Sequence, residues 1–96
     1  MLNKKLTPLL AGRSVKSAKQ AKGVLAIKFT DDSVMRIKTD APFKDSIIGK
    51  TVKAVRQKAK EFDLDFTDGM TAVITLAEET SSVMLRDKAG VMEYAD

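Results

Sequence analysis

The stretch FDLDFTDGMTAVITL, residues 62–76, alternates apolar and polar side chains on both sides of a short turn. Successive side chains of a strand point to opposite faces, so this alternation is typical of a strand with one buried face. The turn is TDG at residues 67–69, whose residue types favour a reversal of the chain. The stretch therefore predicts a β-hairpin, with its apolar face formed by Phe62, Leu64, Phe66, Ala72, Ile74 and Leu76.

The same pattern occurs thirty-seven residues earlier in the chain. Residues 12–39 align with residues 49–76 without a gap, and roughly two identities would be expected by chance in such a pair. The eight identical pairs are Gly12/Gly49, Val15/Val52, Lys16/Lys53, Gln20/Gln57, Phe29/Phe66, Thr30/Thr67, Asp31/Asp68 and Ile37/Ile74. We interpret the two segments as an internal repeat, with a first copy at 12–39 and a second copy at 49–76.

Each copy begins with a basic phrase, GRSVKSAKQ at 12–20 and GKTVKAVRQ at 49–57, whose apolar residues are spaced three apart. Two structures produce this spacing. One is a pair of helices at 7–22 and 46–60, the first with Thr7 and Pro8 as N-cap and first helical residue. The other is a strand with a β-bulge, because a bulge shifts the alternation by one residue. The internal glycines and the β-branched residues favour the bulged strand.

The strands together predict an all-β fold. Each copy becomes a three-stranded meander, the segment DAPFKDS at 40–46 links the copies, and residues 82–95 add a C-terminal hairpin that turns at DKAG. About eight short strands in residues 1–96 predict a single domain, built as a small antiparallel sandwich or a partly open barrel. The alternative fold is α+β, with the two helices named above.

Charge is distributed unevenly along the chain. Residues 1–60 contain fifteen basic residues against four acidic ones, a net charge of +11, whereas residues 61–96 contain two against nine, a net charge of −7. Cations at three positions of the repeated phrase occur in both copies, and we expect them to contact nucleic-acid phosphates. The six residues are Arg13, Lys16, Lys19, Lys50, Lys53 and Arg56. The plainer interpretation is a solvated outer face of strands.

The predicted exposure of the aromatic residues indicates whether the protein would bind single-stranded or duplex nucleic acid. Phe29, Phe62 and Phe66 occupy apolar positions of the alternation, which leaves Phe43 and Tyr94 as the aromatics predicted to be free. A single-strand platform needs aromatic side chains exposed beside basic ones. Contact with a duplex backbone is therefore the more natural mode.

Enzyme chemistry finds little support in the residue types. The chain has no Cys and no His, so thiolate nucleophiles, imidazole bases and the usual zinc ligands are absent. The run DLDFTDG at 63–69 has the carboxylates of a calcium loop but not the EF-hand spacing. We expect no catalytic residues, no cofactor and no metal. No stretch has the roughly 18 apolar residues of a membrane span, so we also expect a cytoplasmic protein without a membrane partner.

One resemblance can be stated. The ending TSSVMLRDKAGVMEYAD, together with GKTVKAVRQ and LDFTDG, resembles a group of small uncharacterised bacterial proteins, some of them from plasmids or other mobile elements. The resemblance covers the C-terminal half and implies a bacterial, cytoplasmic protein, with no catalytic or ligand motif to carry over. Where that group has a Gly after the Gln of the phrase, this chain reads QKAKEF at 57–62.

Two functions from different classes follow as hypotheses. The first is a non-enzymatic binding module that contacts nucleic-acid backbone through its basic N-terminal half. The second is a protein-binding inhibitor or accessory factor of the kind mobile elements use. For the second, the bipolar charge would serve docking to a partner or the pairing of two copies in a homodimer.

Overall fold

The computed structural model describes all residues from Met1 to Asp96. It contains one short helix, α1 (Leu6–Leu10), and eight strands. The strands are β1 (Val15–Ala21), β2 (Val24–Phe29), β3 (Val34–Lys38), β4 (Val52–Lys58), β5 (Glu61–Phe66), β6 (Thr71–Thr75), β7 (Val83–Arg86) and β8 (Met92–Ala95).

The strands form two antiparallel sheets. The larger sheet has the order β1-β2-β3-β7-β8 and the smaller has the order β4-β5-β6. Each copy of the repeat supplies one meander, and the C-terminal hairpin extends the first meander because β7 pairs with β3. The predicted all-β fold is confirmed, as a sandwich-like arrangement that does not close into a barrel. The α+β alternative is wrong, since most of 7–22 and 46–60 is strand or loop.

A β-bulge interrupts the repeated phrase at the same place in both copies. The register shifts between Val15 and Ser17 in the β1–β2 pair, and between Val52 and Ala54 in the β4–β5 pair. The extra residue lets apolar side chains three positions apart point to the same side, so Val52 and Val55 are both buried. The bulge therefore explains a spacing that also resembled a helix.

The two copies exchange hydrogen bonds symmetrically where their phrases begin. Ser14 and Thr51 form an isolated antiparallel bridge, and their hydroxyl oxygens lie 2.7 Å apart. Around this bridge each bond has a counterpart thirty-seven residues away: Gly12 N to Val52 O at 2.9 Å with Gly49 N to Val15 O at 2.8 Å, and Val15 N to Lys50 O with Val52 N to Arg13 O, both at 2.9 Å. An approximate two-fold axis therefore passes near Ser14 and Thr51.

The hydrophobic core lies between the two sheets and under α1. Leu6 and Leu10 of the helix are fully buried against it. The remaining core side chains are Val15, Leu25, Ile27, Phe29, Met35, Ile37, Ile47, Val52, Val55, Phe62, Leu64, Phe66, Ala72, Ile74, Leu76, Val83 and Leu85. Equivalent apolar positions of both copies thus contribute to one core.

The predicted all-β fold did not include helix α1, which the structure contains. Its first turn is stabilised by Asn3, whose Oδ1 accepts hydrogen bonds from the backbone of Lys5 at 3.2 Å and of Leu6 at 2.9 Å. The predicted cap at Thr7 is therefore wrong; Thr7 lies inside the helix and bonds β4 instead. The helix ends before Gly12, which has a φ of +92° that other residues rarely adopt. No helix in the chain has the length and apolar character to cross a membrane.

Candidate nucleic-acid interface

The outer surface of the larger sheet carries a set of basic side chains that the strand register aligns. Lys19 of β1 lies opposite Ala26 of β2, which lies opposite Arg36 of β3. In the neighbouring row, Lys28 of β2 lies opposite Val34 of β3, which lies opposite Arg86 of β7. We call five cations on the outer surface of this sheet the basic face: Lys19, Lys28, Arg36, Lys38 and Arg86.

Few acids neutralise the basic face. None of the outward positions of β1, β2, β3 and β7 carries an acidic side chain. Within the basic face only Lys28 has a carboxylate within 4.0 Å, Asp32 at 3.8 Å. Arg86 donates a hydrogen bond to the carbonyl of Gly90 at 3.1 Å, an uncharged partner. Four of the five cations of the basic face are therefore free of ion pairs.

The surface of the basic face contains two depressions. An open depression of about 600 Å³ is lined by Arg36 and Lys38, by the apolar side chains of Val24 and Met84, and by the C-terminal Asp96. A second depression of about 230 Å³ lies beside it and shares Arg36 and Met84. Arg36 therefore borders both depressions.

Arg13, the first predicted contact residue, is engaged inside the protein. Its side chain is only 17% exposed, and its guanidinium donates hydrogen bonds to the Glu93 carboxylate at 3.0 and 2.9 Å. A third bond reaches Ser33 Oγ at 2.9 Å, and Asp31 lies 3.5 Å from Nε. The hydrogen bonds to Glu93 raise the pKa of Arg13 above its ordinary value. Arg13 thus joins the first copy to β8.

Lys50 occupies the equivalent position in the second copy. It forms an ion pair with Asp68, which stands thirty-seven residues after Asp31. The hydrogen bond from Lys50 lowers the pKa of Asp68. Lys16 is more exposed and lies 3.4 Å from Asp32. These cations have acidic partners from their own chain.

Arg56 pairs with the acidic residues of the neighbouring strand. Its Nε and Nη2 donate to the two carboxylate oxygens of Asp65 at 2.7 and 2.9 Å, and Asp63 lies 3.6 Å away. The hydrogen bond from Arg56 lowers the pKa of Asp65. Lys19 and Lys53 have no carboxylate oxygen within 4.0 Å. Of the six predicted residues, therefore, only these two are free of ion pairs, and only Lys19 belongs to the basic face.

The outer surface of the smaller sheet has the opposite character. Glu61, Asp63 and Asp65 point outward from its central strand and form an acidic strip, bordered by Arg56 and Lys58 of β4. Asp63 is largely buried, and its Oδ1 has no hydrogen-bond partner. Burial, followed by the nearby Glu61 carboxylate, raises the pKa of Asp63. No group of three or more His, Cys, Asp or Glu side chains is arranged to hold a metal ion.

The two aromatics predicted to be free are packed instead. Phe43 lies in the linker and Tyr94 in β8, and both are partly buried against the hydrophobic core. The Tyr94 hydroxyl also accepts a hydrogen bond from Asn3 at 3.1 Å. The prediction of free aromatics at these positions is wrong, because the linker and β8 both cover the core.

Sequence reasoning missed four of the five residues of the basic face. Lys28, Arg36, Lys38 and Arg86 do not belong to the repeated phrase. A signal for them existed: Arg36 and Lys38 alternate with the buried Met35 and Ile37, so they had to point outward together. What the sequence alone did not supply is the pairing of β3 with β7, which brings Arg86 to the same surface.

Comparison of the chain with protein-family models, with curated proteins and with solved structures finds no match.

Proposed function

We propose that this protein is a non-enzymatic binding module whose basic face contacts the phosphate backbone of a nucleic acid. The observation that carries the proposal is the basic face, five cations on β1, β2, β3 and β7, of which only Lys28 has an acidic partner within 4.0 Å. Phosphates bind such cations with release of counterions, which supplies affinity independent of base sequence. The proposal places the protein in the cytoplasm. The absence of cysteine agrees with this compartment, in which disulfides are rare.

Duplex backbone is the ligand that we favour. Single-strand binding without sequence preference uses aromatic side chains on which bases stack. The basic face has none, because Phe43 and Tyr94 pack against the core. Cations spaced across neighbouring strands instead suit a rigid, regularly charged surface such as the duplex backbone.

The test is the fluorescence anisotropy of labelled duplex and single-stranded oligonucleotides, titrated with the protein at several salt concentrations. We expect the duplex to bind at low salt, with a logarithmic salt slope of roughly −0.9 for each phosphate contacted. The variant Arg36→Glu with Lys38→Glu should weaken binding by more than about tenfold. Both side chains are exposed and lack ion pairs, so the variant should fold, which circular dichroism will check.

A matched control changes the net charge by the same amount on the other sheet. Lys53→Glu with Lys58→Glu alters two exposed lysines, and Lys53 belongs to the repeated phrase that the sequence singled out. Near-normal binding by this variant assigns the contact to the basic face. An equal or larger loss would assign the contact to the smaller sheet and contradict the proposal.

A second candidate is a protein-binding inhibitor or accessory factor. The apolar side chains interleaved with the cations favour it, since Met92 is 44% exposed and Met84 lines both depressions. Methionine is common at adaptable protein-binding surfaces. Absence of oligonucleotide binding at any salt concentration would support this candidate and overturn the first.

A further inference from the structure

Strand β6 forms one edge of the smaller sheet, and no strand pairs with its outer side. In the β5–β6 ladder, Phe66 N donates to Met70 O and Leu76 N donates to Lys60 O. Every second pair of an antiparallel ladder is hydrogen-bonded, so Ala72 and Ile74 also bond β5. The N–H and C=O groups of Thr71, Val73 and Thr75 therefore point away from β5, and no protein group accepts or donates to them.

The equivalent edge in the first copy is filled. Strand β3 stands thirty-seven residues before β6, and β7 pairs along its outer side from Val34 to Ile37. No strand takes that place beside β6, because the chain has only one C-terminal hairpin. The two-fold relation of the copies therefore leaves one strand-binding edge occupied and its counterpart vacant.

The other edges of the two sheets are covered or protected. On β4, Val55 N donates to Thr7 Oγ1 at 3.0 Å and Val55 O accepts from Asn3 N at 2.8 Å. Strand β1 is interrupted by its bulge and carries the exposed charges of Lys16 and Lys19. Strand β8 is four residues long, is paired through a bulge, and carries a charge at Glu93. Short length, bulges and charges are the usual protections of an edge.

Strand β6 has none of these protections and is complementary to itself. Its sequence TAVIT contains no charge, no Pro and no Gly, and Val73 at its centre is 53% exposed. In an antiparallel pair of two copies centred on Val73, each Thr71 faces a Thr75 and the two Val73 residues face one another. Thr–Thr and β-branched cross-strand pairs are stabilising. No like charges meet, because the acidic strip lies one strand away on β5.

We infer that the outer edge of β6 is a self-association site that pairs with β6 of a second copy of this chain. The centred register brings all three open residues of each strand into hydrogen-bonded pairs, so up to six backbone hydrogen bonds form. The contact is isologous, with a two-fold axis at Val73, and therefore closes as a dimer. It joins the two small sheets into one sheet of six strands.

Cysteine cross-linking tests this contact directly, because the chain has no Cys of its own. In the centred register the two Val73 Cα atoms are about 5.5 Å apart, a distance that a disulfide spans. We expect Val73→Cys to form a disulfide dimer rapidly under mild oxidation. The control Val91→Cys replaces a comparably exposed valine, 60% exposed, in the turn before β8, and should cross-link slowly. Equal rates for the two variants would overturn the proposal.

Sedimentation gives a second measurement on the unmodified protein. We expect a sedimentation coefficient that rises with concentration, and a dimer that Val73→Lys weakens by about tenfold or more because two lysines then face each other. Val91→Lys should leave the dimer unchanged. A protein that stays monomeric at all concentrations, or a dimer that Val73→Lys does not weaken, would contradict the assignment to β6.

The inference is independent of the proposed function. Val73 lies on the smaller sheet, whereas Arg36 and Lys38 lie on the larger one. Val73→Lys should therefore change self-association, and Arg36→Glu with Lys38→Glu should change oligonucleotide affinity without weakening the dimer.

Discussion

The central strands of the two meanders, β2 and β5, carry similar apolar residues on their buried faces and differently charged residues on their outer faces. Their inward residues are apolar and fully or nearly fully buried in both copies: Leu25/Phe62, Ile27/Leu64 and Phe29/Phe66. Their outward residues differ in charge at every position: Val24/Glu61, Ala26/Asp63 and Lys28/Asp65. Close packing limits what an inward position can hold, whereas an outward position costs little to change. The two copies therefore share a backbone arrangement, but the larger sheet carries the basic face and the smaller sheet carries the acidic strip.

The copies also differ in what surrounds them. The C-terminal hairpin completes the first meander along β3, and Arg13 fastens β8 through Glu93. The second meander has no such addition, and Lys50 reaches only the exposed Asp68. An added hairpin thus gives the first copy a larger sheet and leaves the second with a free edge.

Substitution at Arg13 is expected to produce the largest difference between the copies. Arg13→Ala leaves the half-buried Glu93 without its two hydrogen bonds and should lower the free energy of unfolding by about 2 kcal/mol. Lys50→Ala, the equivalent change, should have a clearly smaller effect because its partner is solvated. Urea unfolding followed by circular dichroism measures both. Equal losses would mean that the Arg13–Glu93 pair does not distinguish the copies.

Substitution at Asp63 is expected to stabilise the protein. Asp63 is largely buried and stands where the first copy has Ala26. Asp63→Asn should raise the free energy of unfolding at neutral pH by up to about 1 kcal/mol, since Arg56 and solvent screen part of the cost of burying the charge.

The pH dependence follows from the direction of the pKa shift at Asp63. Its folded-state pKa is raised, so the folded protein binds the proton more tightly than the unfolded chain does. The destabilising charge is absent below the ordinary aspartate value of 3.8 and develops as the pH rises through the folded-state pKa. The advantage of Asp63→Asn should accordingly vanish in acid. An advantage that persists unchanged there would show that charge burial is not its cause.

The smallest expected effect concerns the first hairpin turn of each copy. Lys22 and Ala59 both have positive φ, +51° and +52°, and the first copy follows with Gly23 where the second has Lys60. Ala59→Asn places a residue that tolerates this conformation and should add about 0.5 kcal/mol to the free energy of unfolding. Thermal unfolding can detect the shift. A lower melting temperature would mean that the methyl group of Ala59 makes a contact that offsets its backbone strain.

Much of the fold followed from local patterns. Alternation located the hairpins around Phe29 and Phe66. The three-residue spacing in the phrases fitted a helix or a bulged strand, and the glycines and β-branched residues correctly favoured the bulge. The short helix at Leu6–Leu10 was missed because five residues are too few to show a helical periodicity. Most residues of the basic face were not among the six predicted contact residues. Charge counts do not reveal which cations meet an acid of a distant strand, as Arg13 meets Glu93.

The sequence by itself determined the strands, the repeat and the segregation of charge, because these depend on residue type and near neighbours along the chain. Only the tertiary structure decided where the C-terminal hairpin joins the meanders, since the free energy of pairing β3 with β7 arises between residues about fifty positions apart. That pairing assembles Lys28, Arg36 and Arg86 on one surface and leaves β6 as the open edge. Both proposals made for this protein rest on that arrangement of strands.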